Sequence, residues 1–104
     1  MDMLTIERES GPPAVLHVRG EIDFLTAEEL RSALEDALTL DATVVVDLAD
    51  VTFVDACGLR VILEVAESLN GRGPLRIVNG HMVERLLRIV GLSAIPSISI
   101  SHEA

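Results

Sequence analysis

Polar and apolar positions along the chain change period several times, and each period predicts a different element. In "MLTIERE" the apolar Leu4 and Ile6 alternate with polar neighbours, and after the "GPP" turn "AVLHVRG" continues with Val15, Leu16 and Val18. That alternation predicts two strands joined by a turn, an antiparallel opening pair. In "TAEELRSALEDAL" the spacing lengthens, and Ala27, Leu30, Ala33, Leu34, Ala37 and Leu38 fall on one helical face. Thr26 and Glu29 have the spacing of a capping box at its start.

"ATVVVDLAD" is a β-branched apolar run without alternation, the pattern of a central strand covered on both faces. Helical spacing returns after Asp55. Leu59, Ile62, Leu63, Ala66 and Leu69 form one stripe, widened by Val61 and Val65, and Arg60, Glu64 and Glu67 form the opposite one. An Arg60 to Glu64 pair at i,i+4 is expected on that polar stripe. Gly71 and Gly73-Pro74 stop this helix. "PLRIVNG" predicts a further strand, followed by a helix from about His81 with Val83, Leu86, Leu87 and Val90 inward and Gly91 as its stop; "SISIS" predicts a last edge strand.

The resulting order, ββαβαβα(β), mixes an antiparallel opening with βαβ units. It implies an α/β fold: a small mixed sheet of four to five strands with helices on it. A chain of 104 residues fits one domain, residues 1–104. Phe24 and Phe53 are the only aromatics, so the core must be built from Leu, Val, Ile and Ala. Either phenylalanine could fill the core at the sheet's end; that role is expected for Phe53, while Phe24, beside Asp23, reads as exposed.

Charge narrows the partners. Eight Arg, no Lys and seventeen acidic residues give a net charge of −9, which repels phosphate backbones and anionic lipid. Nucleic acid and membrane are therefore poor partners, and a basic protein face is a better one. No apolar run approaches the roughly 18 residues of a membrane span. The single Cys57 forms no internal disulfide, and residues 1–8 lack a signal peptide's character, so a cytoplasmic location is expected.

The candidate chemistry sits in "FVDACGL", where an apolar strand runs into an acid, a thiol and a glycine at a strand's carboxyl end. Asp55 is suited to cap the next helix by accepting from the N–H of Cys57 or Gly58, and Gly58 permits close approach to the backbone. A capped helix with no further role is the plain alternative. Cys57 lies where a helix dipole favours a thiolate, but His17, His81 and His102 are scattered and offer no general base. The same scatter leaves no metal-ligand spacing, and without a lysine or a GxGxxG run there is no phosphate loop. The residues thus point to no cofactor, no metal and no enzyme.

The segments "GEID" (Gly20 to Asp23), "VVVDLADVTFVDACGLRVILEVAE" (Val44 to Glu67) and "LLRIVGL" (Leu86 to Leu92), in this order and spacing, resemble the STAS domain of anti-sigma factor antagonists. The resemblance covers nearly the whole chain. It implies a STAS-like fold and a protein that binds an anti-sigma factor of the serine-kinase type, releasing a sigma factor for transcription. In that family the turn reads Asp-Ser-Ser/Thr-Gly-Leu, and the kinase switches the antagonist off by phosphorylating the hydroxyl directly after the Asp.

Matched residue by residue, Asp55, Gly58 and Leu59 keep the family's pattern, Ala56 falls on the phosphoacceptor, and Cys57 on the second hydroxyl position. Alanine has no oxygen to phosphorylate. The expectation is an antagonist that the usual phosphorylation cannot switch off, with Asp23, Phe24, Asp55, Ala56, Cys57, Gly58, Leu59 and Arg60 forming the partner surface. Two alternatives stand beside it: a STAS scaffold or ligand-binding module in a larger regulatory assembly, and a redox sensor using Cys57. Oligomeric state has no signature in the chain.

Overall fold

A computed structural model describes residues 4–41, 43–92 and 95–103. The elements, in chain order, are β1 (Thr5–Glu9), β2 (Ala14–Ile22), α1 (Ala27–Leu40), β3 (Val44–Val54), α2 (Ala56–Ser68), β4 (Leu75–Val78), α3 (His81–Ile89) and β5 (Ile98–Ser101). They form one five-stranded sheet ordered β1-β2-β3-β4-β5. Only β1 runs antiparallel to its neighbour; β2 to β5 pair in parallel, each crossover carried by a helix. The predicted order ββαβαβα(β) is therefore observed with its fifth strand present.

Strand β3 is central, as its apolar run implies, but the sheet is covered on one face only. Ala14, Leu16 and Val18 of β2, Val44, Val46 and Leu48 of β3, and Leu75 and Ile77 of β4 are buried with Leu30, Leu34, Val61, Ile62, Val65, Val83 and Leu87 of the helices. Their alternate neighbours Val15, His17, Val45, Asp47 and Val78 lie on the other face and are half-buried by one another. β-branched residues suit either situation, so three consecutive valines did not distinguish them.

The pairing of β2 with β3 carries two irregularities. The partner offset grows from 30 residues at Ala14↔Val44 to 32 at Ile22↔Val54, with shifts between His17 and Arg19 and between Gly20 and Glu21. Each extra residue on β3 breaks the period of two, so Leu48, Val51 and Val54 face inward at a spacing of three. Phe53, next to the inward Val54, lies outward, 47 % exposed, and does not join the core as expected.

Helix α2 buries Gly58, Leu59, Val61, Ile62, Val65 and Ala66, as its wide apolar face predicts. In α3, Val83 and Leu87 are buried and Leu86 half-buried, but Val90 lies past the helix's last turn and is exposed. Gly71 and Gly91 adopt positive φ (+93° and +82°) just beyond α2 and α3, the left-handed geometry in which helices commonly stop.

The predicted capping box at Thr26 and Glu29 does not form. The Thr26 hydroxyl turns back, donating to the Glu21 carbonyl (2.7 Å) and accepting from the Asp23 N–H (2.9 Å). Asp23 closes the loop instead: its Oδ1 accepts from the backbone N–H of Leu25 (3.0 Å) and Thr26 (3.1 Å), and its carbonyl accepts from Ala27 (2.8 Å).

Candidate functional site

Two turns meet where β2 and β3 end. Both strands lead into helices from their carboxyl ends, and the Asp55 N–H donates to the Ile22 carbonyl across them (3.1 Å). Neighbouring parallel strands thus hold the Asp23-Phe24-Leu25 loop beside the Asp55-Ala56-Cys57 turn.

The second turn is built by its cap. Asp55 is extended (φ −105°, ψ −175°), and its Oδ1 accepts from the Gly58 N–H at 2.9 Å, one of the two donors its position predicts. The Asp55 carbonyl then accepts from Leu59 (2.9 Å) and opens the helical ladder. Gly58 has a different use from the one its residue type suggests. It is buried, and a Cβ there would lie 2.5 Å from Ile22 Cγ2 and 2.8 Å from the Ile22 carbonyl oxygen. The glycine lets α2 seat against the end of β2, leaving no room for a partner. Leu59 is likewise internal, 5 % exposed.

What remains outward is a small surface. Ala56 is exposed on the first turn of α2, and Cys57 is half-buried, with no side-chain hydrogen bond to a histidine among the described residues. Because Asp23 spends its carboxylate on the loop's own N–H groups, Phe24 and Leu25 are pushed into solvent, 75 % and 84 % exposed. Leu25 was not among the residues expected on the surface, and the exposed Phe53 was expected in the core. The signal for Leu25 was available, since an adjacent Phe-Leu pair ahead of a helix cannot both face the core.

Arg60 is exposed and makes no ion pair among the described residues. The expected Arg60 to Glu64 pair does not form, because Glu64 is held across the helix interface by Arg31 of α1, which also binds Glu28 (3.1 Å). That hydrogen bond from Arg31 keeps the Glu64 carboxyl below its ordinary range, with Arg60 adding only a weaker through-space attraction. Arg60 is left free for an external carboxylate.

The histidines lie elsewhere. His17 bridges Glu9 (2.8 Å) and Asp47 (3.2 Å) on the open sheet face. His81 and His102, distant in sequence, stack at 4.0 Å because β5 runs beside β4 and returns the chain to the start of α3. Among the described residues no group of three or more His, Cys, Asp or Glu is arranged to hold a metal ion, and no helix is long and apolar enough to cross a membrane.

A mixed sheet with its helices on one face, and a capped turn between its central strand and second helix, define the chain as an α/β domain of the STAS type. Residues 4–104 match the sequence model of the STAS domain, and the chain belongs to that family. It is 35 % identical over 86 residues to an anti-sigma-B factor antagonist of Listeria monocytogenes, covering 80 % of this chain and 75 % of the relative. It is 31 % identical over 81 residues to the anti-sigma-F factor antagonist RsfB of Mycobacterium tuberculosis, covering 76 % of this chain and 66 % of that protein's length. The crystal structure of an anti-sigma factor antagonist from Mycobacterium paratuberculosis superposes with a TM-score of 0.79 at 25 % identity, covering 95 % of this chain and 86 % of the other.

Proposed function

We propose that this protein is an anti-sigma factor antagonist: a cytoplasmic binding module, a single STAS domain over residues 1–104, that engages an anti-sigma factor of the serine-kinase type and so frees a sigma factor. The names of its relatives support the antagonist role. Its contact surface is the pair of neighbouring turns, with Phe24, Ala56, Cys57 and Arg60 outward, Leu25 added to them, and Asp23, Asp55, Gly58 and Leu59 shaping the surface from beneath.

The observation that carries the regulatory half of the reading is Ala56. It is exposed on an intact, Asp-capped turn at the position where the family's hydroxyl receives phosphate. A phosphate there would bring about −1.5 to −2 charges and a strongly hydrated group next to Asp55 and near Asp23, in the middle of the contact surface, where burying it against a partner carries a desolvation cost. Without a hydroxyl that switch is absent, and the antagonist is constitutively competent. Incubation with an anti-sigma kinase and ATP tests this. Wild type should take up no phosphate and Ala56→Ser should; phosphate on the wild-type turn would overturn the reading.

A further inference from the structure

The helix-free face of the sheet holds a second feature, remote from the two turns. The register aligns Val15↔Val45↔Arg76↔Ser99 in one row across β2 to β5 and His17↔Asp47↔Val78↔Ser101 in the next. Together with Pro74 and Glu103 these residues line an open trough of about 570 Å³, within the size range of small-molecule sites. Its floor is apolar: Val15, Val45 and Val78, all half-buried although no helix lies over them.

The polar groups divide into the satisfied and the free. Asp47 is fully engaged, one oxygen taking His17 (3.2 Å) and the other the Ala49 N–H (3.0 Å) and Asn79 Nδ2 (3.4 Å). His17 spends its second nitrogen on Glu9. Arg76, by contrast, is exposed and has no ion pair or hydrogen bond among the described residues, and the hydroxyls of Ser99 and Ser101 next to it on β5 are unengaged as well. Arg76 is the one arginine that lines the trough, beside its apolar floor.

We infer that this trough binds a small amphipathic carboxylate, its head on Arg76 and Ser99 and its apolar body along Val45, Val15 and Val78. A single guanidinium matches one carboxylate through two parallel N–H···O bonds, whereas a phosphate's greater charge would be uncompensated beside Asp47 and Glu103. The trough crosses four strands, about 14 Å at the usual inter-strand spacing, a length that a medium-chain carboxylate spans.

Decanoate is the probe, with decanol as its uncharged counterpart, titrated into ¹⁵N-labelled protein. Decanoate should bind saturably, with shifts centred on Val45, Arg76, Val78 and Ser99, and decanol should bind about tenfold more weakly, as loss of a charge-assisted pair requires. Arg76→Gln, an exposed change that should melt with wild type, should reduce decanoate affinity about tenfold and leave decanol unchanged. Absence of saturable shifts, equal affinity for the two probes, or shifts centred on Phe24 and Leu25 would each overturn the site.

Discussion

Gly58→Ala separates two uses of the glycine, contact with a partner and contact with β2. An added Cβ would stand 2.5 Å from Ile22 Cγ2 and 2.8 Å from the Ile22 carbonyl oxygen. Neither neighbour can yield cheaply. Ile22 is fully buried, and its carbonyl already accepts from Asp55 N–H at 3.1 Å, the bond that ties the two turns together. Relief therefore requires α2 to slide outward. Overpacking of this kind costs about 1–3 kcal/mol, and a weakened Ile22–Asp55 hydrogen bond adds about 1. Alanine's better helix propensity returns up to about 1 kcal/mol. The net expectation is a loss of about 1–3 kcal/mol, or roughly 5–15 °C in Tm for a domain of this size. Urea unfolding followed by far-UV circular dichroism measures it, with an unchanged m-value as the sign that only stability moved. If Gly58→Ala is as stable as wild type and loses only partner binding, the packing explanation is wrong.

Removing the cap by Asp55→Ala should cost about 1 kcal/mol of stability, and Asp55→Ser should recover most of it, read from the same urea midpoints. Phe24→Ser and Leu25→Ser remove exposed side chains, so unfolding should stay within about 0.5 kcal/mol of wild type while affinity for the anti-sigma factor, by calorimetry, falls about tenfold or more. The His17 pKa is raised above 6.5, chiefly by its hydrogen bond to Glu9 and, less, by Asp47, against the opposing effect of burial. A raised pKa means that its stabilisation is complete below the unfolded value of about 6.5 and is lost as pH rises through the folded value. Urea midpoints should therefore decline as pH increases above about 6.5, by a small amount because the ring is more than a third exposed, and His17→Gln should flatten that decline.

Local periodicity made most of the architecture legible, since strands, helices and their stops depend on nearby residues. The errors came where a distant neighbour decided the outcome. Thr26 and Glu29 have the spacing of a capping box, but the Thr26 hydroxyl found the Glu21 carbonyl first. Arg31, from another helix, took the carboxylate assigned to Arg60. Phe53 reads as core from its apolar type, but it stands next to the inward Val54 on β3 and faces outward. The bare sheet face was invisible because valines serve a half-buried and a fully buried strand equally well. At the turn, the Asp55 cap was readable from residue types alone, whereas the meaning of Ala56 comes only from the likeness to the STAS family. The contact of Gly58 with Ile22 was not, because it depends on how α2 meets the end of a strand more than thirty residues earlier.

The central claim is an antagonist whose docking turn is intact but cannot be phosphorylated. Its most direct test is the affinity of wild type and Ala56→Ser for an anti-sigma kinase of the same organism, each measured with and without ATP. Wild type should bind equally well in both conditions, within about twofold, while Ala56→Ser should bind without ATP and lose about tenfold or more with it. Loss of wild-type binding on adding ATP, accompanied by phosphate on the chain, would contradict the account.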